Sequence, residues 1–193
     1  MKTEKIILLV IKILLILAVI FLFVFLIAQN LVWSGKLEIQ TDFTKFTPYF
    51  SILKPQPRII INEGNKVIGE PIWFDVALPR DFQKASLEIV YKDDYGYKLK
   101  IGPNTGADWD FKELNNIINE ANYKIGRIDF GMAGKNINNG KLRFSITIPN
   151  FDPSKPIYIK NIKMTFERQP LLAEGLEQNL VNYFNYVKSQ FKR

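Results

Sequence analysis

Asp108 and Asp110 flank Trp109 in a Gly- and Asn-containing stretch, and by position they are the carboxylates of this chain best suited to acid–base work. Two carboxylates can run glycoside hydrolysis, one protonating the leaving oxygen while the other attacks or activates water. The competing reading is that they are ordinary acids of a surface loop. The rest of the sequence favours that second reading. The chain has no His and no Cys, so the usual nucleophilic triads cannot be built. It has no G-x-S-x-G elbow, no phosphate-binding glycine loop, no dinucleotide fingerprint and no zinc spacing. A non-catalytic domain is expected.

Two other chemistries remain for these loops. Asp93, Asp94 and Asn104, together with Asp108 and Asp110, offer hard oxygen donors of the kind calcium takes. They lack the D-x-[DN]-x-[DN]-G spacing, and solvated turn residues are the alternative. Tyr95, Tyr97 and Trp109 lie in or beside the same loops. A flat aromatic face can stack on a sugar ring while neighbouring Asp, Asn and Lys side chains hydrogen-bond its hydroxyls. Here the alternative is that Tyr97 and Trp109 are core or lid residues. The candidate ligand-binding set is therefore Tyr95, Tyr97, Trp109, Asp108 and Asp110, with Asp93, Asp94 and Asn104 as the calcium candidates.

The elements that must hold these loops are strands. Leu37 and Ile39 alternate within residues 35–41; residues 42–57 are interrupted by prolines and should wrap an edge. A short β-branched run at 58–62 ends at the turn signal Asn62-Glu63-Gly64-Asn65. Ile72, Phe74 and Val76 alternate with Trp73, Asp75 and Ala77, so Trp73 faces away from the core and is either exposed or covered by the tail. Leu87, Ile89 and Tyr91 precede the turn at Asp93-Asp94-Tyr95-Gly96, and Tyr97, Leu99 and Ile101 follow it, which reads as a hairpin. Phe111, Leu114, Ile117 and Ile118 recur at helical spacing and predict a short helix, with one more short strand at 127–132. Asn139-Gly140 is a strong hairpin signal. After it Leu142, Phe144, Ile146 and Ile148 point one way, and Lys141, Arg143, Ser145 and Thr147 the other. Ile157, Ile159, Ile162, Met164 and Phe166 complete the last extended run. Strands about ten residues apart, with no strand–helix alternation, predict an antiparallel β-sandwich, jelly-roll or immunoglobulin-like, over residues 35–169. Beyond Pro170, Leu176, Leu180, Phe184, Val187 and Phe191 form a helical stripe, so residues 170–193 are expected as an amphipathic helix that docks on the sandwich, on a partner chain or on a membrane.

Residues 6–28 (IILLVIKILLILAVIFLFVFLIA) hold one charge, Lys12. A helix needs roughly 20 apolar residues to cross a bilayer, and this run has no polar face to set against water. It predicts a single-pass anchor marked by Ile6, Leu15, Phe21 and Ala28, with Trp33 as an interfacial residue and residues 1–34 as the anchor unit. Lys2, Lys5 and Lys12 put the N-terminus inside and the sandwich on the outer side of a cytoplasmic membrane. Cleavage after Ala28 would need a small residue where Leu26 stands, so an uncleaved signal-anchor is expected. Without cysteines there is no lipoprotein anchor and no disulfide stapling. The formal charge of +7 is scattered rather than gathered into a nucleic-acid patch.

The segment PIWFDVALPRDFQKASLEIVYKDD, followed by GKLRFSITIPNFDPSKPIYIKNIKMTFER, resembles the strand pattern of galactose-binding-like and carbohydrate-binding jelly rolls. The alternating F-x-I-x-I-P strand, a loop, then I-x-I-x-x-I-x-M-x-F is similar to the closing strands of such modules. The chain as a whole resembles signal-anchored bacterial surface proteins. The resemblance implies a membrane-anchored binding or scaffold module for a surface glycan or an envelope protein. The alternatives are an accessory subunit of a membrane complex and a glycan-active enzyme using loop carboxylates.

Overall fold

The computed structural model describes residues 11–22, 24, 32, 34–45, 47–62, 64–169, 181, 182, 184, 185 and 188. Alternation of apolar and polar side chains builds its sheets, because successive residues of a strand face opposite ways. In β4 (Ile72–Ala77), Ile72, Phe74 and Val76 are buried while Trp73 and Asp75 are half-buried. In β11 (Lys141–Thr147), Leu142, Phe144 and Ile146 are buried and Lys141 and Arg143 exposed. Asn139 and Gly140 take positive φ angles of 50° and 68°, the geometry of a tight hairpin turn, and join β10 (Ile137–Asn138) to β11.

The described strands form two antiparallel sheets. The first joins β1 (Lys36–Thr41), β2 (Ile59–Asn62), β3 (Gly64–Val67), β5 (Lys84–Lys92), β8 (Asn115–Glu120), β9 (Tyr123–Gly131) and β12 (Ile157–Glu167). Its order is β2-β3-β12-β5-β9-β8, and β1 also pairs β12. The second sheet sets β4 on one side of β11, and β10 and β6 (Lys100–Pro103) on the other, with β7 (Lys112–Glu113) beyond β6. The row β3-β12-β5-β9 opposes the row β4-β11-β6-β7, and the chain repeatedly changes sheet between them. That connectivity is a jelly roll.

Between the sheets lies a continuous apolar core. Phe74 stacks on Phe144 within the second sheet (5.6 Å, 11°), and Phe130 of β9 meets the same ring edge-on at 5.8 Å from the other side. Each such fully buried side chain stabilises the fold by about 1.5–3 kcal/mol. Residues 49–54, within the proline-interrupted stretch, run along β4 as expected of an edge. Trp73 and Lys54 exchange backbone hydrogen bonds, while Phe50 and Leu53 plug the core.

Two expectations are corrected. No hairpin joins Leu87–Tyr91 to Tyr97–Ile101. β5 is already hydrogen-bonded on both edges, to β12 and β9, so the chain leaves the turn at Asp93 and crosses to the second sheet as β6. The helix expected around Phe111 to Ile118 is instead β7 and β8. A register shift between Asn115 and Ile118 interrupts the two-residue alternation there and leaves Ile117 and Ile118 both exposed.

Residues 11–22 and 24 are helical, with Leu15 and Phe21 exposed. Among the described residues no helix is long and apolar enough to cross a membrane. The remainder of the apolar run, with Ile6 and Ala28, and the interfacial Trp33 lie outside the described residues. In the tail, residues 181, 182, 184, 185 and 188 are helical and Phe184 is exposed; Leu176, Leu180, Val187 and Phe191 lie outside the described residues.

Candidate functional site

The outer face of the second sheet is built on one cross-strand rung. Trp73 of β4 is opposite Ser145 of β11, and Ser145 is opposite Gly102 of β6. Ser145 is buried and its hydroxyl donates to the Ile72 carbonyl, so it forms a floor. Gly102 lets the chain return over the sheet: a Cβ there would sit 2.5 Å from the Asp110 carbonyl oxygen. The segment passing above it carries Trp109 and Phe111, whose rings stack at 5.9 Å and 22°. Strands lie about 4.8 Å apart, so the backbones of β4 and β6 that flank Ser145 are roughly 10 Å apart, with Trp73 on one side and the Trp109–Phe111 wall on the other. The resulting groove, about 360 Å³, is completed by Pro71, Arg143 and Thr147.

Arg143 ends the aromatic half and begins a polar half. Its guanidinium Nε and Nη2 donate to the two Asp75 carboxylate oxygens at 2.7 and 3.3 Å, and its carbon lies 5.9 Å from the Trp73 ring centre. The hydrogen bond to Asp75 holds the guanidinium above its ordinary pKa range, against the opposing effect of partial burial. Beyond it a cleft of about 380 Å³ is lined by Asn104, Asn136, Asn138, Asn139 and Lys141 as well as Asp75 and Arg143. The two halves share Arg143 and form one track along the sheet.

The expected site residues divide between two regions. Trp109 stands in the groove wall. Asp108 and Asp110 hold that wall in place. The Asp108 carboxylate accepts from the Trp109 amide, and Asp110 accepts from the nearly buried Lys135 ammonium at 2.5 Å. Tyr95 and Tyr97 do not line the groove. Tyr97 packs on the core beside Phe151 and its hydroxyl oxygen accepts the Asp152 amide; the exposed Tyr95 sits 6.2 Å from Tyr97, with Lys155 near its ring.

The calcium candidates are not assembled into a site. One oxygen of the buried Asp93 carboxylate accepts the Tyr95 and Gly96 amides, and the other pairs with Lys124 of β9 at 2.8 Å, so both are already engaged. Asp94 is exposed and pairs with Lys92 at 3.5 Å. Asn104 bridges to Trp109 at the end of the second sheet, where its side-chain oxygen Oδ1 accepts the Gly106 amide. No group of three or more acidic side chains among the described residues could hold a metal ion.

Sequence reasoning missed Phe111, Arg143, Asp75 and the asparagines 136, 138 and 139. The signal present was alternation: Trp73 and Asp75 on one strand, and Arg143, Ser145 and Thr147 on the other, all face away from the core. That the two sets form one surface depends on β4 pairing with β11, strands separated by some 70 residues.

No family model matches the chain, and no curated protein matches it. Among solved structures it is similar to the xylan-binding module CBM15, with 14% identity over 68% of this chain and 97% of that one and a TM-score of 0.47. It is similar to the CBM35 from Cellvibrio japonicus Abf62, with 10% identity over 66% and 92% of the two chains and a TM-score of 0.44. It is also similar to TmCBM27, described for specific mannan recognition, with 14% identity over 69% and 99% and a TM-score of 0.36. The likeness is weak and concerns the fold.

Proposed function

We propose that the sandwich is a non-catalytic glycan-binding module whose ligand lies along the outer face of the second sheet. The observation that carries this reading is the groove over the Ser145 floor, lined by Trp73 on one side and by Trp109 and Phe111 on the other. Apolar ring faces on both sides suit the C–H faces of pyranose rings, and the adjoining amides and Arg143 suit their hydroxyls; a mostly apolar cleft with a few convergent polar groups is the usual form of a binding site. Asp108 and Asp110 brace the wall with bonds to Trp109 and Lys135, which supports a positioning role for them rather than proton transfer.

The apolar run of residues 6–28 and the lysines around it support a bilayer tether, with the sandwich on the outer side of the cytoplasmic membrane. There the groove would meet surface polysaccharide. A glycan array probed with the purified full chain tests the binding reading: retention of at least one class of polysaccharide is expected, and an array with no bound class overturns it. Protease added to intact cells should digest the sandwich; full protection would overturn the tethered arrangement.

A further inference from the structure

The charges of the groove point to the class of glycan. In the polar half the cationic side chains are Lys141 and Arg143, and the single acid among the described lining residues is Asp75. Asp75 is already engaged by Arg143 through two hydrogen bonds. Among the described residues no acidic side chain pairs with Lys141, although it faces the same cleft two residues along β11. Arg143 uses Nε and Nη2 on Asp75, which leaves the rest of its five-donor fork for another acceptor. The cleft therefore holds two cations against one carboxylate. The four asparagines around them can hydrogen-bond hydroxyls but bring no charge.

We infer that the ligand is an acidic glycan, with a sugar carboxylate seated between Lys141 and Arg143 while a neighbouring ring stacks in the aromatic half. This rests on the glycan-binding reading and names its substrate class. A carboxylate at that place would supply the missing negative charge, and N–H donors to a carboxylate make shorter and stronger bonds than donors to hydroxyls. A neutral ring would offer Lys141 only the weaker acceptors of its hydroxyls.

The test uses the full chain in detergent and matched pairs of polymers: polygalacturonate, alginate and hyaluronan, each against its own carboxyl-reduced form. At least one acidic polymer is expected to bind tenfold or more tightly than its reduced partner, with affinity falling as salt rises from low to high concentration. Lys141→Gln should narrow that ratio, while the thermal melting midpoint confirms that the variant folds. Equal binding of acidic and reduced forms, or an unchanged ratio in Lys141→Gln, overturns the acidic assignment and leaves glycan binding standing. Binding of neutral glycans from the array with none of the acidic polymers retained does the same. Absence of binding to every acidic, reduced and neutral polymer overturns the glycan reading itself.

Discussion

Arg143 and Asp75 face each other across β11 and β4, bound through two hydrogen bonds, and the pair suspends the guanidinium beside Trp73 at the junction of the two halves of the groove. The Arg143 side chain is about half exposed. A pair of that kind contributes little to folding, typically under about 1 kcal/mol. Its consequence lies in placement. Asp75→Asn should leave the melting temperature nearly unchanged and weaken glycan binding several-fold, because Arg143 loses the partner that fixes its plane. Calorimetric titration with a bound polysaccharide, beside a thermal melt, reads both effects.

Removing either wall should abolish retention. Trp73→Ala and Trp109→Ala each delete a partly exposed ring, so folding should change by less than the several kcal/mol that a buried aromatic costs. Binding should fall tenfold or more in affinity electrophoresis. Tyr95→Ala, on the other loop cluster, should bind as the parent does. Equal losses from Tyr95 and Trp109 would show that the ligand lies elsewhere.

Gly102 is where the wall depends on a missing side chain. Its added Cβ would press on backbone, at 2.5 Å from the Asp110 carbonyl oxygen, and backbone cannot rotate away as a side chain can. Gly102→Ala should cost about 1–3 kcal/mol, the usual range for overpacking. It should also reduce binding, because Trp109 and Phe111 ride on the displaced segment. Urea unfolding and Trp fluorescence follow the two consequences.

Asp93 should matter to folding and not to a metal. Asp93→Ala leaves the Tyr95 and Gly96 amides without their acceptor and Lys124 without its partner. A loss of about 2–4 kcal/mol is expected, since breaking a buried pair leaves a stranded group. The melt of the parent should be the same in EDTA as in calcium. A calcium-dependent rise in its midpoint would contradict the assignment of Asp93 to the turn.

Alkaline stability should turn on Tyr91. Burial, with the negative charge of Asp93 adding to it, pushes this phenol up to about 12 from an ordinary 10. A folded-state pKa above the unfolded one stabilises fully below pH 10, and that contribution is lost as pH rises through about 12. The difference is on the order of 3 kcal/mol. Tyr91→Phe should therefore lose less stability than the parent between pH 10 and 12, measured as paired thermal melts by circular dichroism.

The strands that alternate cleanly were legible in the chain's own residue order. Leu142, Phe144 and Ile146 had to share one face, and Asn139-Gly140 had to turn the chain, because side-chain direction and local φ preferences are properties of a few adjacent residues. The residue order also put Trp109 forward as a candidate ligand residue, through its setting in a polar loop, and Trp109 lines the groove. It could not decide which strands become neighbours. Phe111 to Ile118 kept a helical spacing because the shift between Asn115 and Ile118 breaks the alternation that would have marked strands. The turn at Asp93 looked like a hairpin because nothing local says that both edges of β5 are taken by β9 and β12. The groove belongs to this second class of fact. Trp73, Arg143 and Trp109 meet through pairings between distant strands and through the space left above Gly102, and only the packed tertiary structure brings them together.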